Sequence, residues 1–272
     1  MEAAVANYAG YRAGDDRWML GRFIVPAARL DELAAAAVSL LPPAGAEPWP
    51  ISALLGEEAA LDLDRVAAFN AQHRGRAVVD AVELRATTSA EIELVATALA
   101  GATDPLEAYV EVPLDPDPSP LLAAVVAAGL RAKARTGGVI ASAIPSSDAL
   151  ARFLVACATL SLPLKATAGL HHPLRAEYRL TYAPDAPRGT MYGFVNVFLA
   201  SALARAGVDQ AGVRAALEER DPTSFAFDDT GVSWRDARIG VADLRAARAH
   251  ASAFGSCSFD EPTTELRALG WL

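Results

Sequence analysis

The sequence predicts an α/β protein: a single (β/α)8, TIM-like barrel over residues 1–272, with an inserted loop at 173–190 after the sixth strand. An open doubly wound sheet is the alternative. Three observations carry this expectation. Strand-like segments alternate with helical ones, the pattern of a parallel sheet covered by helices. Eight strands can be counted, the number that closes a barrel. No G-x-G-x-x-G fingerprint follows the first strand, which argues against a dinucleotide-binding open sheet. At 272 residues and 53% hydrophobic composition, one large domain with a full core is expected.

The elements follow in order. Arg22–Pro26 is the first strand and Leu30–Leu41 the first helix after it. Pro50–Leu55 is the second strand. Asp62 caps a helix that runs toward His73 and stops at Gly75. Val78–Arg85 is the third strand, and Thr88-Ser-Ala-Glu91 is a capping box opening the helix Ile92–Ala100. Ala108–Leu114 is the fourth strand. Ser119, Pro120 and Gly129 bracket the next helix. Leu130–Thr136 is the fifth strand, a helix runs from Pro145–Asp148 to Leu160, and Pro163–Ala168 is the sixth strand. Pro173–Thr190, rich in proline and arginine, is the insertion, and such loops are commonly functional. Helices are expected over Tyr192–Ala206 and Gln210–Arg220. Ser224–Asp228 is the seventh strand, with a hairpin through Asp229-Thr-Gly231 to Val232–Arg235. Ala242–Ala253 is helical, Gly255–Phe259 is the eighth strand, and a short helix closes the chain.

Composition narrows the partners. A net charge of −9 and a pI near 5.0 argue against a nucleic-acid partner, which selects a basic face. Met1–Arg12 lacks a basic segment followed by an apolar one, so no signal peptide is read there. The longest apolar run, Met191–Ala204, is too short to span a bilayer and reads as a buried helix. The expectation is a cytoplasmic protein with no membrane partner, compatible with a homo-oligomer. Cys157, in a helix, and Cys257, in a strand, lack metal spacing and read as reduced thiols in the core.

The chain has only two lysines, Lys133 and Lys165, against 22 arginines. Each opens a glycine-bearing motif, Lys133-Ala-Arg-Thr-Gly-Gly138 and Lys165-Ala-Thr-Ala-Gly169. An ammonium can shed its proton and become a nucleophile or a base, whereas a guanidinium effectively cannot. Alternation along the strands collects the polar residues on one face: Glu83 and Arg85 on strand three, Glu111 on strand four, Lys133 and Arg135 on strand five, Lys165 and Thr167 on strand six. Barrel active sites lie at the C-terminal ends of strands. Neighbouring strands five and six bring the lysines close, and a nearby cation together with burial favours a neutral amine. Glu111 is placed to shuttle protons. Thr136, Gly137 and Gly138 follow strand five, where glycine backbone amides can approach an anion and Arg135 can add a bidentate contact; an ordinary tight turn is the other reading. Solvated or ion-paired charges on an open sheet are the competing account of the whole face.

His171 and His172 follow strand six. On an extended segment they point opposite ways, so at most one faces the site. His73 and His250 lie in helices, which leaves too few histidines for a zinc centre, and no metal is assigned. Arg175, Arg179 and Arg188 are placed to close over an anion or to remain solvated. Asn196 reads as a satisfied core amide. Asp260-Glu261-Pro262 reads as the cap of the last helix.

Lys165-Ala-Thr-Ala-Gly169 resembles the Lys-Thr-Ser-Thr-Gly strand of deoxyribose-phosphate aldolases, and Lys133-Ala-Arg-Thr-Gly-Gly138 is similar to that family's Lys-Ala-Ser-Gly-Gly motif with one residue inserted. The two motifs run in the reverse order here, and together they cover about a dozen residues. The resemblance implies a barrel with Lys165 as the Schiff-base residue. Lys165–Leu170 also resembles the Lys-Thr-Thr-Pro-Gly segment of quinolinate phosphoribosyltransferases.

Three readings follow. The first is a barrel enzyme acting on a small anionic carbonyl metabolite by lyase or aldolase chemistry, with no resident cofactor. The second is a phosphoryl- or phosphoribosyl-type transferase whose lysines act electrostatically, with Mg²⁺ held by Glu83 or Glu111. The third is a non-catalytic ligand-binding barrel.

Overall fold

Capping chemistry sets several helix boundaries where the sequence places them. In the computed structural model, which describes residues 1–102 and 104–272, Thr88 accepts from the Glu91 amide while the Glu91 carboxylate accepts from the Thr88 amide. Ser146 accepts from the Ala149 amide at the start of the helix Ser147–Thr159. Gly75 and Gly129, at φ +76° and +68°, turn the chain after two helices, a conformation that costs glycine no Cβ clash. Asp62 is not a helix cap: it lies inside the helix Ala59–Gln72. Its carboxylate accepts from the Gly56 amide and pairs with Arg65.

The chain divides into two compact units, residues 1–111 with 127–131 and residues 112–126 with 132–272. The first contains α1 (Glu2–Ala13), β1 (Phe23–Pro26), α2 (Leu30–Ala37), β2 (Trp49–Leu54), α3 (Ala59–Gln72), β3 (Ala77–Arg85), α4 (Ser89–Ala100) and β4 (Glu107–Glu111). Its strands pair in parallel, β1 with β2, β2 with β3 and β3 with β4. Val25, Ile51, Ala53, Val79, Val82, Val110 and Ile92 are fully buried or nearly so, as expected for strands covered by helices. The β2–β3 register shifts between Ile51 and Ser52, leaving Asp80 as the extra residue. Asn70 of α3 holds the Val79 backbone through both its N–H and its C=O. Asp80 pairs with Arg22.

The second unit contains α5 (Ser119–Ala127), β5 (Arg131–Arg135), α6 (Ser147–Thr159), β6 (Leu164–Thr167), β7 (Ala176–Arg179), β8 (Arg188–Met191), α7 (Phe194–Arg205), α8 (Gln210–Glu218), β9 (Phe225–Asp228), β10 (Gly231–Trp234), β11 (Ala237–Gly240), α9 (Val241–His250), β12 (Ala251–Gly255) and α10 (Asp260–Ala268). Strands β5, β6 and β12 pair in parallel. Phe254 of β12 stacks on Phe194 of α7, with centroids 4.8 Å apart.

The parallel sheet has seven strands in the order β1-β2-β3-β4-β5-β6-β12, so the fold is α/β and the expected closed eight-stranded barrel is corrected. The segment read as a seventh barrel strand, Ser224–Asp228, forms β9 and pairs antiparallel with β10, which pairs antiparallel with β11. The tight turn at Asp229-Thr230 favours this local hairpin over a long-range parallel partner. The insertion is not a plain loop either, since β7 and β8 form an antiparallel hairpin within 176–191. The last parallel strand lies at 251–255 rather than 255–259, because α9 ends earlier, at His250. Met191–Ala204 is, as read, mostly a buried helix, α7. Among the described residues, no helix is long and apolar enough to cross a membrane.

Candidate functional site

The period-two alternation Ala-Lys-Ala-Arg in β5 and Leu-Lys-Ala-Thr in β6 fixes two faces. Ala132 pairs with Leu164, Lys133 with Lys165, Ala134 with Ala166 and Arg135 with Thr167. Register partners on neighbouring parallel strands share a face, with backbones about 4.8 Å apart. Ala166 is also the register partner of Phe254, so the alanine face is the one packed by α7. The lysines lie on the other face, with only 8% and 5% of their surface exposed. Both are engaged by partners, as buried charges must be.

The two strands leave the sheet bound to each other. The Thr136 amide donates to the Thr167 carbonyl at 2.8 Å, and the Thr136 hydroxyl donates to the Ala168 and Thr167 carbonyls at 2.7 and 3.1 Å. Gly137 and Gly169 then meet backbone to backbone: a Cβ on Gly137 would lie 3.1 Å from the Gly169 Cα, and one on Gly169 would lie 3.2 Å from the Gly137 Cα. Gly169 also sits at φ +73°. A Cβ on Gly138 would lie 2.7 Å from that of Ala143. The glycines of the two lysine motifs therefore have a packing reason, and Thr136, almost fully buried, fastens the strand exits. Arg135 is exposed, whereas its register partner Thr167 is buried.

Glu83, Arg85 and Glu111 belong to the first unit. Glu83 is the register partner of Tyr109, and Arg85 of Glu111. Glu83 is 2% exposed and accepts from the Ser52 hydroxyl at 2.8 Å. Glu111 is buried and Arg85 exposed.

His171 and His172 do not diverge as an extended segment would make them, because the chain bends there. The His171 ring turns to the connection between β12 and α10, and the His172 ring to α10 itself and to β7. His172 stacks on Tyr178 with centroids 3.5 Å apart and donates from Nδ1 to Glu265 at 2.7 Å. His171 Nδ1 lies 3.0 Å from Ser256 Oγ and 3.5 Å from Glu261 Oε2. Cys257 is exposed, contrary to its expected place in a core strand, because β12 ends two residues before it. Its Sγ lies 3.7 and 3.8 Å from the two ring nitrogens of His171 and 3.3 Å from the Tyr182 hydroxyl. Tyr182 donates onward to Glu261 at 3.0 Å. The contact with Cys257 raises the His171 pKa against the opposing effect of burial, helped by Glu261 and Glu265. The same contact lowers the Cys257 pKa. Cys157, fully buried in α6 as expected, is shifted the other way by desolvation. Sequence reasoning singled out His171 and Glu261 but missed Cys257, because alternation assigned the polar run Ser256-Cys-Ser258 to a strand.

One further expectation is met in place. Asn196 is a satisfied core amide: it accepts from the Arg175 amide and donates to the Ala216 and Glu219 carbonyls. Arg175 lies over the Tyr192 ring and Arg188 pairs with Glu177. The expected cap at Asp260-Glu261-Pro262 is corrected: Asp260 and Glu261 lie inside the first turn of α10, and it is the Ser258 hydroxyl oxygen that accepts from the Glu261 amide. His172, Glu261 and Glu265 offer ligand atoms within 4.8 Å of one another. Their hydrogen bonds to each other and to Tyr182 account for the grouping, and no metal is assigned to it. No family model, curated protein or solved structure matches this chain.

Proposed function

We propose that the chain is an enzyme acting on a small anionic carbonyl compound through a Schiff base on Lys165, with lyase or aldolase character. One observation carries the reading: the only two primary-amine side chains are register partners, both buried, on the sheet face turned from α7. A protein that uses arginine elsewhere has no solubility reason to place ammonium groups there, and burying them is costly. Lysine alone supplies an amine that can lose its proton and attack a carbonyl. In that step the Nζ–C bond forms, water leaves, and the iminium withdraws electrons from the neighbouring C–C bond. Lys133 stands beside it as the second cation, suited to an anionic substituent.

The test is reductive trapping. Borohydride added with a panel of keto acids and sugar-phosphate carbonyls is expected to fix an adduct on Lys165, its mass increased by the carbonyl compound less one oxygen. Lys165→Arg keeps the charge and is expected to abolish trapping. The absence of any lysine adduct across the panel overturns the covalent reading. Turnover that survives Lys165→Arg favours the transferase alternative, in which charge alone suffices.

A further inference from the structure

Cys257 sits in the segment joining β12 to α10 and is exposed. Two titratable side chains face its sulfur, His171 from the segment after β6 and Tyr182 from the turn between β7 and β8. Behind the imidazole stand Glu261 and, farther off, Glu265, both on α10, while His172 lies edge-on to it with centroids 6.3 Å apart. The two carboxylates favour the imidazolium, and the imidazolium favours the thiolate.

We propose that Cys257 is a hydroperoxide-reactive thiol, activated by His171, whose substrates are small hydroperoxides. The sulfur lies nearly equidistant from both ring nitrogens, so neither nitrogen is aimed at it as in-line transfer of a thiol proton requires. That disfavours acyl transfer through a nucleophile–base pair. Reaction with a peroxide needs only a stabilised thiolate, access and a proton for the leaving oxygen. The thiolate attacks one peroxide oxygen, and the S–O bond forms as the O–O bond breaks. Sulfur is oxidised to the sulfenic acid and the peroxide is reduced. The departing hydroxide or alkoxide takes the imidazolium proton, giving water or an alcohol and neutral His171. Cys157 is sealed in α6, so recovery uses an external thiol: a first forms the mixed disulfide and releases water, and a second regenerates Cys257.

The proposal is independent of the lysine reading. The test follows alkylation of the intact protein by iodoacetamide across pH, with peptide mapping. Cys257 is expected to react with a midpoint below the free-thiol value of about 8.5, and about three- to fivefold faster at pH 7 than an unpaired thiol, the higher thiolate fraction being partly offset by lower nucleophilicity. His171→Ala is expected to return the midpoint to the ordinary range. Hydrogen peroxide followed by dimedone is expected to label Cys257 and leave Cys157 unlabelled. An ordinary midpoint in the unaltered protein, or no dimedone adduct under conditions where iodoacetamide labels Cys257, overturns the proposal.

Discussion

The lysine pair and the Cys257 cluster are built in opposite ways. Lys133 and Lys165 occupy regular parallel strands, where a shared register alone puts them side by side. Cys257, His171, Tyr182 and Glu261 come from three separate connections and the first turn of α10, and only side-chain contacts unite them. The first arrangement is rigid, buried and repetitive, whereas the second is accessible and irregular. Backbone hydrogen bonding thus suffices to converge two residues on a sheet, while a site made from loops needs the whole tertiary path.

The sharpest test of that contrast is Lys165→Arg. It is expected to reduce borohydride trapping by at least about a hundredfold, since the nucleophile is lost, while leaving the pH midpoint of Cys257 alkylation unmoved, since the charge is kept. A midpoint that moves with it makes the two regions one electrostatic unit and breaks the comparison.

A smaller effect separates the backbone contribution from the side-chain one. Gly169→Ala introduces a Cβ 3.2 Å from the Gly137 Cα at a φ of +73°. It is expected to cost about 2 to 3 kcal/mol in denaturant unfolding and to weaken trapping, because the register of β5 and β6 is set partly at their exits. Unchanged stability shows that the lysine register is held by the ladder alone.

The histidines give the smallest expected effects, of opposite sign. His250, at the end of α9, is buried, and its Nε2 has no partner among the described residues. Desolvation, with the charge of Arg205, lowers its pKa to about 4. The unfolded chain therefore binds a proton that the folded one refuses. The contribution of His250 to stability is complete above about pH 6.5 and is lost as pH falls toward 4. His171 is raised instead, so its contribution is complete below about pH 6.5 and is lost as pH rises through its folded value. NMR titration of the two rings, with urea unfolding from pH 4 to 8, checks both. A His250 that titrates normally removes the acid-side loss.

Much of the α/β alternation could be read from the sequence because the information is local. The Thr88–Glu91 box, the glycines at 75 and 129 and the two-residue alternation through Lys133 and Lys165 act over a few residues, and the structure has them where the sequence puts them. Barrel closure could not be read: the hairpin of Phe225–Asp228 with Gly231–Trp234 was legible in its turn, but a short apolar segment carries no label saying whether it also joins the parallel sheet. Its hairpin with β10 removed a strand from the parallel sheet. Cys257 was misplaced for a related reason: a shift of a few residues in where β12 ends moves a side chain from a strand to an exposed connection.

The sequence by itself determined which residues alternate, where several helices begin and end, and that both lysines share a strand face, because torsional preference and hydrogen-bond periodicity act between near neighbours. Only the tertiary structure decided which strands pair, that Gly137 packs on Gly169, and that a histidine, a tyrosine and a glutamate gather around one thiol. Those contacts join residues as much as 32 to 86 positions apart, and their free energy depends on packing that no local pattern encodes.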